Sequence, residues 1–401
     1  MSDIAKQQKV KIDANKAWEI LKRDCTGIYS EEGFKEKLFS GKPMSIKLGA
    51  DPSRPDLHLG HSVVLRKLRM LQDLGHEIIF LIGDFTGMIG DPSGKSKTRP
   101  PLTWDETRVN GRTYLEQVTK ILDKDKTRIV YNSEWLSKMG FEDVLKLCGK
   151  YTVARIFERD DFSKRLSENQ PIGMHELLYP LMQGYDSVAL ECDVETGGTD
   201  QTFNLLVGRE LMRDYGMPGQ EVITFPLLPG LDGVEKMSKS LDNYIGISEP
   251  ADVMFEKCMK VPDNLLAEYF RLTTDLDFDE VKKLIERDIR EAHFFFSETI
   301  VEMYWSRQEA LDAKQRYLTV ASGAAPENVQ EIYLAAGAYP LWKLLTQAEI
   351  ASSSSEARRL ISQGGIALDG EIYKDPVMEI DGTGEKLIKR GKAKFVKVIF
   401  N

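Results

Sequence analysis

The sequence predicts an α/β fold: a mostly parallel sheet early in the chain, a helical stretch after it, and a small α+β module at the C-terminus. Three observations carry that expectation. Residues 45–50 read as a short strand, the following stretch as a helix with an apolar face of Val63, Val64, Leu65, Leu68, Met70 and Leu71, and residues 77–83 as a second strand. Strand, helix and strand thus fit within about 40 residues, the size of a βαβ unit. Ile78 to Ile82 is a continuous apolar run between Gly75 and Gly83, which suits a strand covered on both faces of a parallel sheet. Further strand candidates at 128–131, 188–194 and 221–228 alternate with helical stretches. In such sheets ligands sit beyond the carboxyl ends of the strands.

The remaining elements follow in order. The first 40 residues read as helical and carry no chemical signal. Residues 249–317 interleave charges with Phe, Leu and Met at helical spacing, and 320–331 are small and polar, as in a linker. The expected divisions are 1–232 for a catalytic domain with N-terminal helices and an inserted dimer-interface segment, and 233–247 for a mobile loop. A helical domain at 248–319, a linker at 320–334 and a last domain at 335–401 complete the chain. No internal repeat is visible.

Composition narrows the class. The chain has 401 residues, 42% of them hydrophobic, enough for one large core and one or two smaller ones. No apolar run approaches the roughly 20 residues of a membrane helix. The polar, lysine-rich start lacks the apolar centre of a signal peptide. Cys25, Cys148, Cys192 and Cys258 lie far apart, so neither a metal site nor a disulfide frame is expected, and free thiols fit a reducing cytoplasm. A net charge of −9 argues against a general nucleic-acid binder. From Leu341 onward, however, ten Lys and Arg face eight Asp and Glu, with Lys386, Lys389, Arg390, Lys392, Lys394 and Lys397 clustered near the end. A basic tail on an acidic body is either a solvated surface or a site for an anionic partner.

Two motifs carry chemistry. His58-Leu59-Gly60-His61 opens the first helix after the first strand. Its imidazoles, three residues apart, share one face beside the N–H groups of a helix N-terminus, which suits phosphate. Taken alone the pair also fits a metal site or two ordinary surface histidines. Lys236-Met237-Ser238-Lys239-Ser240 follows the last strand candidate, and its two lysines can close over polyphosphate; a stray basic loop reads the same way. Gly90-Asp91-Pro92-Ser93-Gly94-Lys95 is not a Walker loop, because Ile89 stands where the first glycine belongs.

Together the two motifs resemble the His-Ile-Gly-His and Lys-Met-Ser-Lys-Ser signatures of class I aminoacyl-tRNA synthetases, with Leu59 for Ile as the one departure. The Ile89–Lys95 stretch resembles that of the tyrosyl family, as does Tyr179-Pro180-Leu181-Met182-Gln183-Gly184-Tyr185-Asp186, whose Tyr179, Gln183 and Asp186 share a helical face. Gly197-Gly198-Thr199-Asp200-Gln201 resembles its Gly-Gly-Ser-Asp-Gln. The C-terminal segment, with Arg358 and Arg359 on a helix and an Asp369-Gly370 hairpin turn, resembles the alpha-L RNA-binding module.

The resemblance implies a Rossmann-like catalytic domain, an α-helical anticodon-binding domain and an α+β alpha-L domain. It implies a tyrosine–tRNA ligase whose partners are ATP with Mg²⁺, L-tyrosine and tRNA(Tyr), acting as a cytoplasmic homodimer with no tightly bound cofactor. His58, His61, Lys236 and Lys239 would be catalytic. ATP would lie along Asp51, Ser53, His58, Gly60, His61, Gly198, Asp200, Lys236, Met237, Lys239 and Ser240. Tyrosine would lie along Lys47, Gly49, Asp91, Tyr179, Gln183, Asp186 and Gln201, with Asp186 on the phenolic hydroxyl. Lys47 stands where many members carry Tyr; pairing with Asp186, pairing with another acid, and reading of the hydroxyl by a different residue are all open. Arg358, Arg359, Lys389, Arg390 and Lys392 would meet tRNA phosphates. A tryptophanyl enzyme, another nucleotidyltransferase and a non-catalytic RNA-binding descendant are the rival readings.

Overall fold

The computed structural model describes residues 12–52, 56–93, 102–322, 329–391 and 394–401. They divide into two compact units, Met1–Pro250 with Lys257–Ile300, and Ala251–Glu256 with Val301–Asn401.

The first unit is built on six strands: β1 (Gly27–Tyr29), β2 (Ser45–Ala50), β3 (Glu77–Ile82), β4 (Thr127–Tyr131), β5 (Val194–Gly198) and β6 (Glu221–Phe225). Their order is β1-β6-β5-β2-β3-β4, parallel throughout except for β1, which runs antiparallel along β6. The expected Rossmann-like sheet is present. After the edge strand β1, the chain enters the middle of the sheet at β2, moves outward through β3 and β4, then returns to build β5 and β6 on the other side. The order therefore reverses between β2 and β5, and a crevice opens there at the strands' carboxyl ends. Ile78 to Ile82 are all nearly inaccessible, as the apolar run requires.

Four helices position the chemistry: α1 (Leu59–Asp73), α2 (Trp104–Val118), α3 (Met174–Leu190) and α4 (Thr202–Asp214). At the start of α2, Thr103 and Glu106 form a capping box: the Glu106 N–H donates to the Thr103 hydroxyl, and the Thr103 N–H to the Glu106 carboxylate at 2.8 Å. Close approach of α3 and α4 depends on Gly184 and Gly208. A Cβ at Gly184 would meet Leu211 at 2.8 Å, and one at Gly208 would meet the Ser187 hydroxyl at 2.8 Å.

Three local expectations are corrected. Residues 188–190 are the end of α3, not a strand; its apolar face continues through Leu190, and Glu191 stops it in the left-handed region at φ 51°. The strand begins only at Val194. β6 ends at Phe225, before Pro226, which has no N–H for the ladder. Within the first 40 residues, β1 separates helices Ala14–Asp24 and Glu31–Phe39; three residues are too few to show an alternating pattern.

The helical region contains Ala251–Cys258, Leu266–Thr273, Phe278–Arg287, Ile289–Tyr304 and Arg307–Ala321. In the second unit, β7 (Gln330–Leu334), β9 (Ile366–Leu368), β10 (Glu371–Ile372), β12 (Glu385–Arg390) and β13 (Lys394–Phe400) form one sheet, and β8 (Gly337–Pro340) pairs with β11 (Glu379–Gly382). Helices α5 (Leu341–Gln347) and α6 (Ser354–Ser362) close its core with Leu341, Leu344, Leu345, Ala357 and Ile361, against Ile388, Val396 and Val398. The expected hairpin joins β9 to β10. Asp369 and Gly370 take φ 50° and 89°, and two positive φ values in a two-residue loop are the mark of a type I′ turn.

One ionic cluster pins the N-terminal helix to the first unit. The Asp24 carboxylate, fully buried, receives Lys67 Nζ at 2.6 Å, Arg23 Nε at 2.8 Å and Arg271 at 3.3 Å. Burial alone would raise the Asp24 pKa, but these partners outweigh it and hold it below the ordinary value. Replacing Asp24 with Ala strands the buried Lys67 charge and should destabilise the protein by about 3 kcal/mol. Chemical denaturation measures this, and Lys67→Met in the same background should recover part of the loss. A loss of under about 1 kcal/mol would show the cluster to be dispensable.

Candidate active site

A cavity of about 810 Å³ opens where the strand order reverses, a volume suited to a small-molecule ligand. Ala50 and Asp51 at the end of β2, and Gly197 and Gly198 at the end of β5, form its lip.

His58 caps α1 and His61 lies in its first turn, with the ring centroids 3.9 Å apart. The His58 backbone N–H donates to His61 Nδ1 at 3.2 Å. With that nitrogen accepting, a neutral His61 carries its proton on Nε2. Burial, then Lys239 and Lys236, push the His61 pKa down to about 3; burial, His61 and the same lysines lower that of His58 well below its usual value. Both rings are therefore disposed to be neutral at pH 7. His58 Nδ1 is buried with no protein partner among the described residues. Gly60 lies against this pair: a Cβ there would sit 3.0 Å from the His58 ring.

The lysine loop faces them. Lys236 Nζ is 2.6 Å from the Asp200 carboxylate, Met237 is buried, and Lys239 Nζ lies 5.2 Å from the centre of the Tyr114 ring. Ser238 caps a short turn, Lys239–Leu241, by accepting the Ser240 N–H. All five loop residues line the cavity.

Deeper in, Tyr179, Gln183 and Asp186 line the cavity from α3. The Tyr179 hydroxyl donates to Asp51 at 2.8 Å, and Gln201 Nε2 donates to Asp91 at 3.0 Å. Gln183 Oε1 is buried without a protein partner among the described residues. Asp186 accepts from Trp135 Nε1 at 2.8 Å and from Asn132 Nδ2 at 3.2 Å. Burial raises its pKa to about 7, against the pull of Lys47 and these two donors. Lys47, also buried, pairs with Glu195 rather than Asp186: Nζ lies 2.8 Å from Glu195 Oε1 and donates to the Ser187 hydroxyl at 2.8 Å. Burial opposes the Lys47 charge, but Glu195, Cys192 and Asp186 outweigh it, so its pKa stays above the ordinary value.

One cavity thus gathers Lys47, Gly49, Asp51, His58, Gly60, His61, Asp91, Tyr179, Gln183, Asp186, Gly198, Asp200, Gln201 and the lysine loop. Ser53 and Lys392 lie outside the described residues. Arg358, Arg359, Lys389 and Arg390 belong to the second unit. There Arg358 lies 4.9 Å from the Trp342 ring centre and Arg359 is exposed. Lys389 sits 5.2 Å from the Phe395 ring centre. Arg390 is engaged inside the unit, with Glu356 at 2.9 Å and the Ile350 carbonyl at 2.6 Å.

Sequence reasoning missed Glu195, Ser187, Asn132, Trp135 and Tyr114. Two of these left a signal. Glu195 is a charge within a buried strand, which requires a partner. Asn132 follows the carboxyl end of β4, on the side of the sheet where ligands bind.

The family model described as tRNA synthetases class I (W and Y) matches residues 40–320. The tyrosine–tRNA ligase of Deinococcus radiodurans is 50% identical over 401 residues, spanning 97% of each chain, and that of Geobacter metallireducens is 50% identical over 394, spanning 95% of this chain and 98% of its own. The chain belongs to the class I tyrosyl-tRNA synthetase family. The tyrosyl assignment separates it from the tryptophanyl members that share the family model. An S4-domain model matches residues 340–387 of this family member, within the second unit. Among solved structures, the tyrosyl-tRNA synthetase from Archaeoglobus fulgidus complexed with L-tyrosine shares the fold, with a TM-score of 0.61 at 22% identity, over 75% of this chain and all of that one.

The raised Asp186 pKa has a consequence for stability. The folded state holds this proton more tightly than the unfolded chain, whose Asp titrates near 3.8. The resulting stabilisation is fully present below about pH 4 and lost as pH rises through about 7. Relative to wild type, Asp186→Asn should therefore gain stability between pH 4 and 8, on the order of 4 kcal/mol. Denaturant midpoints across that range measure it; parallel pH profiles for the two proteins would contradict the buried, poised carboxyl.

Proposed function

We propose that the enzyme activates L-tyrosine with ATP, forming tyrosyl-adenylate and pyrophosphate, and then transfers the tyrosyl group to the 3′ end of tRNA(Tyr). The observation that carries this reading is the gathering of the imidazole pair, the two loop lysines and the Asp186 floor in one cavity. Family membership supports the same activity.

In the first step a carboxylate oxygen of tyrosine attacks the α-phosphorus of ATP while the bond to the β-phosphate oxygen breaks. The carboxylate is ionised at pH 7, so no general base is needed and catalysis is positioning plus charge stabilisation. His58 and His61, neutral, donate hydrogen bonds to the phosphates. Lys236 and Lys239 supply positive charge to the departing pyrophosphate. Asp200 is assigned to the ribose hydroxyls, so ATP must exchange the Lys236–Asp200 ion pair for two new contacts. Mg²⁺ is read as travelling with the ATP phosphates, as is usual for an ion that keeps much of its water.

At the other end, the phenolic O–H donates to the carboxylate form of Asp186, which is populated as pH rises through about 7. Lys47 gives two N–H groups to Glu195 and Ser187, and its third has no partner among the described residues; it is assigned to the phenol oxygen. Phenylalanine would leave the third Lys47 N–H and the remaining Asp186 acceptor capacity buried and unmet, which costs binding energy. Asp91, Tyr179, Gln183 and Gln201 are assigned to the amino and carboxylate groups, and the unpartnered Gln183 Oε1 supports this.

Arg358, Arg359 and Lys389, with Lys392, are read as tRNA contacts; Arg390 has donors already committed to Glu356 and Ile350. A homodimer is supported by large apolar side chains left exposed in the first unit, among them Phe141 at 79%, Met174 at 75% and Val153 at 64%. Among the described residues no helix is long and apolar enough to cross a membrane. The four unpaired cysteines support a cytoplasmic setting.

Tyrosine-dependent exchange of labelled pyrophosphate into ATP tests the activity, and a purified protein silent with every amino acid would refute it. Asp186→Ala should lower kcat/KM for tyrosine roughly 100-fold while leaving the KM for ATP within about threefold. An equal loss for both substrates would remove Asp186 from tyrosine recognition. Changing Arg358 and Arg359 together to Glu should cut tRNA charging by about tenfold or more, with a weaker salt dependence and unchanged pyrophosphate exchange. Normal charging by that variant would take these arginines out of tRNA binding.

A further inference from the structure

The loop bearing Lys236 and Lys239 is clamped by one buried side chain outside the signature. Asn243 is 5% exposed. Its Oδ1 accepts the Ser238 N–H at 2.8 Å, and its Nδ2 donates to the Lys236 carbonyl at 3.3 Å and to Asp232 Oδ2. Its own carbonyl accepts the Leu231 N–H at 2.9 Å. One amide therefore joins both ends of the loop and holds the peptide groups on either side of Met237. Met237 is fixed from the opposite direction, since its N–H donates to the Leu228 carbonyl at 2.8 Å and its side chain is buried.

Chemistry settles which way the amide faces. Asp232 also accepts the Val234 and Glu235 N–H groups, both at 2.9 Å, and as a carboxylate it can only accept. The atom turned toward it must be the NH₂ group of Asn243. The oxygen is then left for Ser238, which offers an N–H. Space is equally restrictive: a Cβ at Gly230 would lie 2.1 Å from Asn243 Nδ2, so the clamp passes where only glycine leaves room.

We propose that Asn243, oriented by Asp232, is a positioning residue for adenylate formation: it sets the backbone that carries Lys236 and Lys239 to the departing pyrophosphate. The inference rests on the proposed tyrosine activation and adds to it a side chain that touches neither substrate. A displaced loop misplaces both charges in the transition state while leaving the tyrosine floor on α3 intact. A shift of about 1 Å in such groups is enough to cost roughly 100-fold in rate.

The test compares Asn243→Asp, Asn243→Ala and the double variant Asp232→Asn with Asn243→Asp. Asn243→Asp sets one carboxylate against another. The double variant restores a donor–acceptor pair between the two positions and keeps an oxygen for Ser238. Single-turnover formation of tyrosyl-adenylate at saturating ATP and tyrosine should fall roughly 100-fold in Asn243→Asp, with the tyrosine Kd within about threefold of wild type. The double variant should regain about tenfold of that loss. Single variants within about threefold of wild type would overturn the inference. So would a tyrosine Kd that weakens in step with the rate, or a double variant no faster than Asn243→Asp. If the wild-type chain itself forms no adenylate, the functional reading fails and takes the inference with it. An active wild type with unaffected variants refutes the inference alone.

Discussion

The site depends on a buried ion pair between neighbouring strands. Lys47 of β2 and Glu195 of β5 are direct partners in the parallel register, at the place where the strand order reverses. Neither charge could be left there alone, since an isolated ion in the interior costs many kcal/mol. Together they are accommodated because their other hydrogen-bonding capacity is largely met. Ser187 accepts from Lys47 and donates to Glu195 at 3.0 Å, and Gln220 donates to the same Glu195 oxygen while accepting from Cys192. The network thus ties β2, β5 and α3 beneath the cavity floor. Ser187 directly follows Asp186, so the anchor holds the helix turn that presents the Asp186 carboxylate.

This arrangement accounts for the acidity of Asp186. A fully buried carboxyl would resist ionisation; a nearby lysine would promote it. Burial raises the Asp186 pKa most; Lys47 pulls it down, then Trp135 and Asn132, while the Glu195 charge nearby pushes it up again. Its pKa of about 7 reflects that balance. An unpaired lysine would bind the carboxyl as a salt bridge and leave it less available to a ligand hydroxyl.

The sheet, the helical stretch and the C-terminal module were legible because each is written in local pattern: apolar runs for β3 and β6, a 3.6-residue face on α1, and the Asp369-Gly370 turn. Groupings within one element were legible too: His58 with His61, and Tyr179 with Gln183 and Asp186, need only one helix to reach the same cavity. What was hidden depends on pairing between distant segments. The partner of Lys47 lies 148 positions away, and only the β2–β5 register identifies it. The boundary between α3 and β5 was misplaced for a related reason. Val188, Ala189 and Leu190 are apolar enough for a strand, and only the packing of α3 on α4 makes them the end of a helix.

The electrostatics divide the work within the cavity. Burial first, and Lys236 and Lys239 after it, disfavour a second proton on either histidine, so at neutral pH the pair offers N–H dipoles rather than charge. Full positive charge then comes from the lysines, and these sit on the segment whose backbone is fastened by Asn243. Before ATP enters, one of them is held by Asp200. That ion pair keeps a cation from standing unpaired at the mouth of the cavity, and it sets the lysine beside the residue assigned to ribose. On the proposed function, ribose hydroxyls that engaged Asp200 would compete with this ion pair and free the lysine for the phosphates. One event would then both seat the nucleoside and deliver charge to the leaving group.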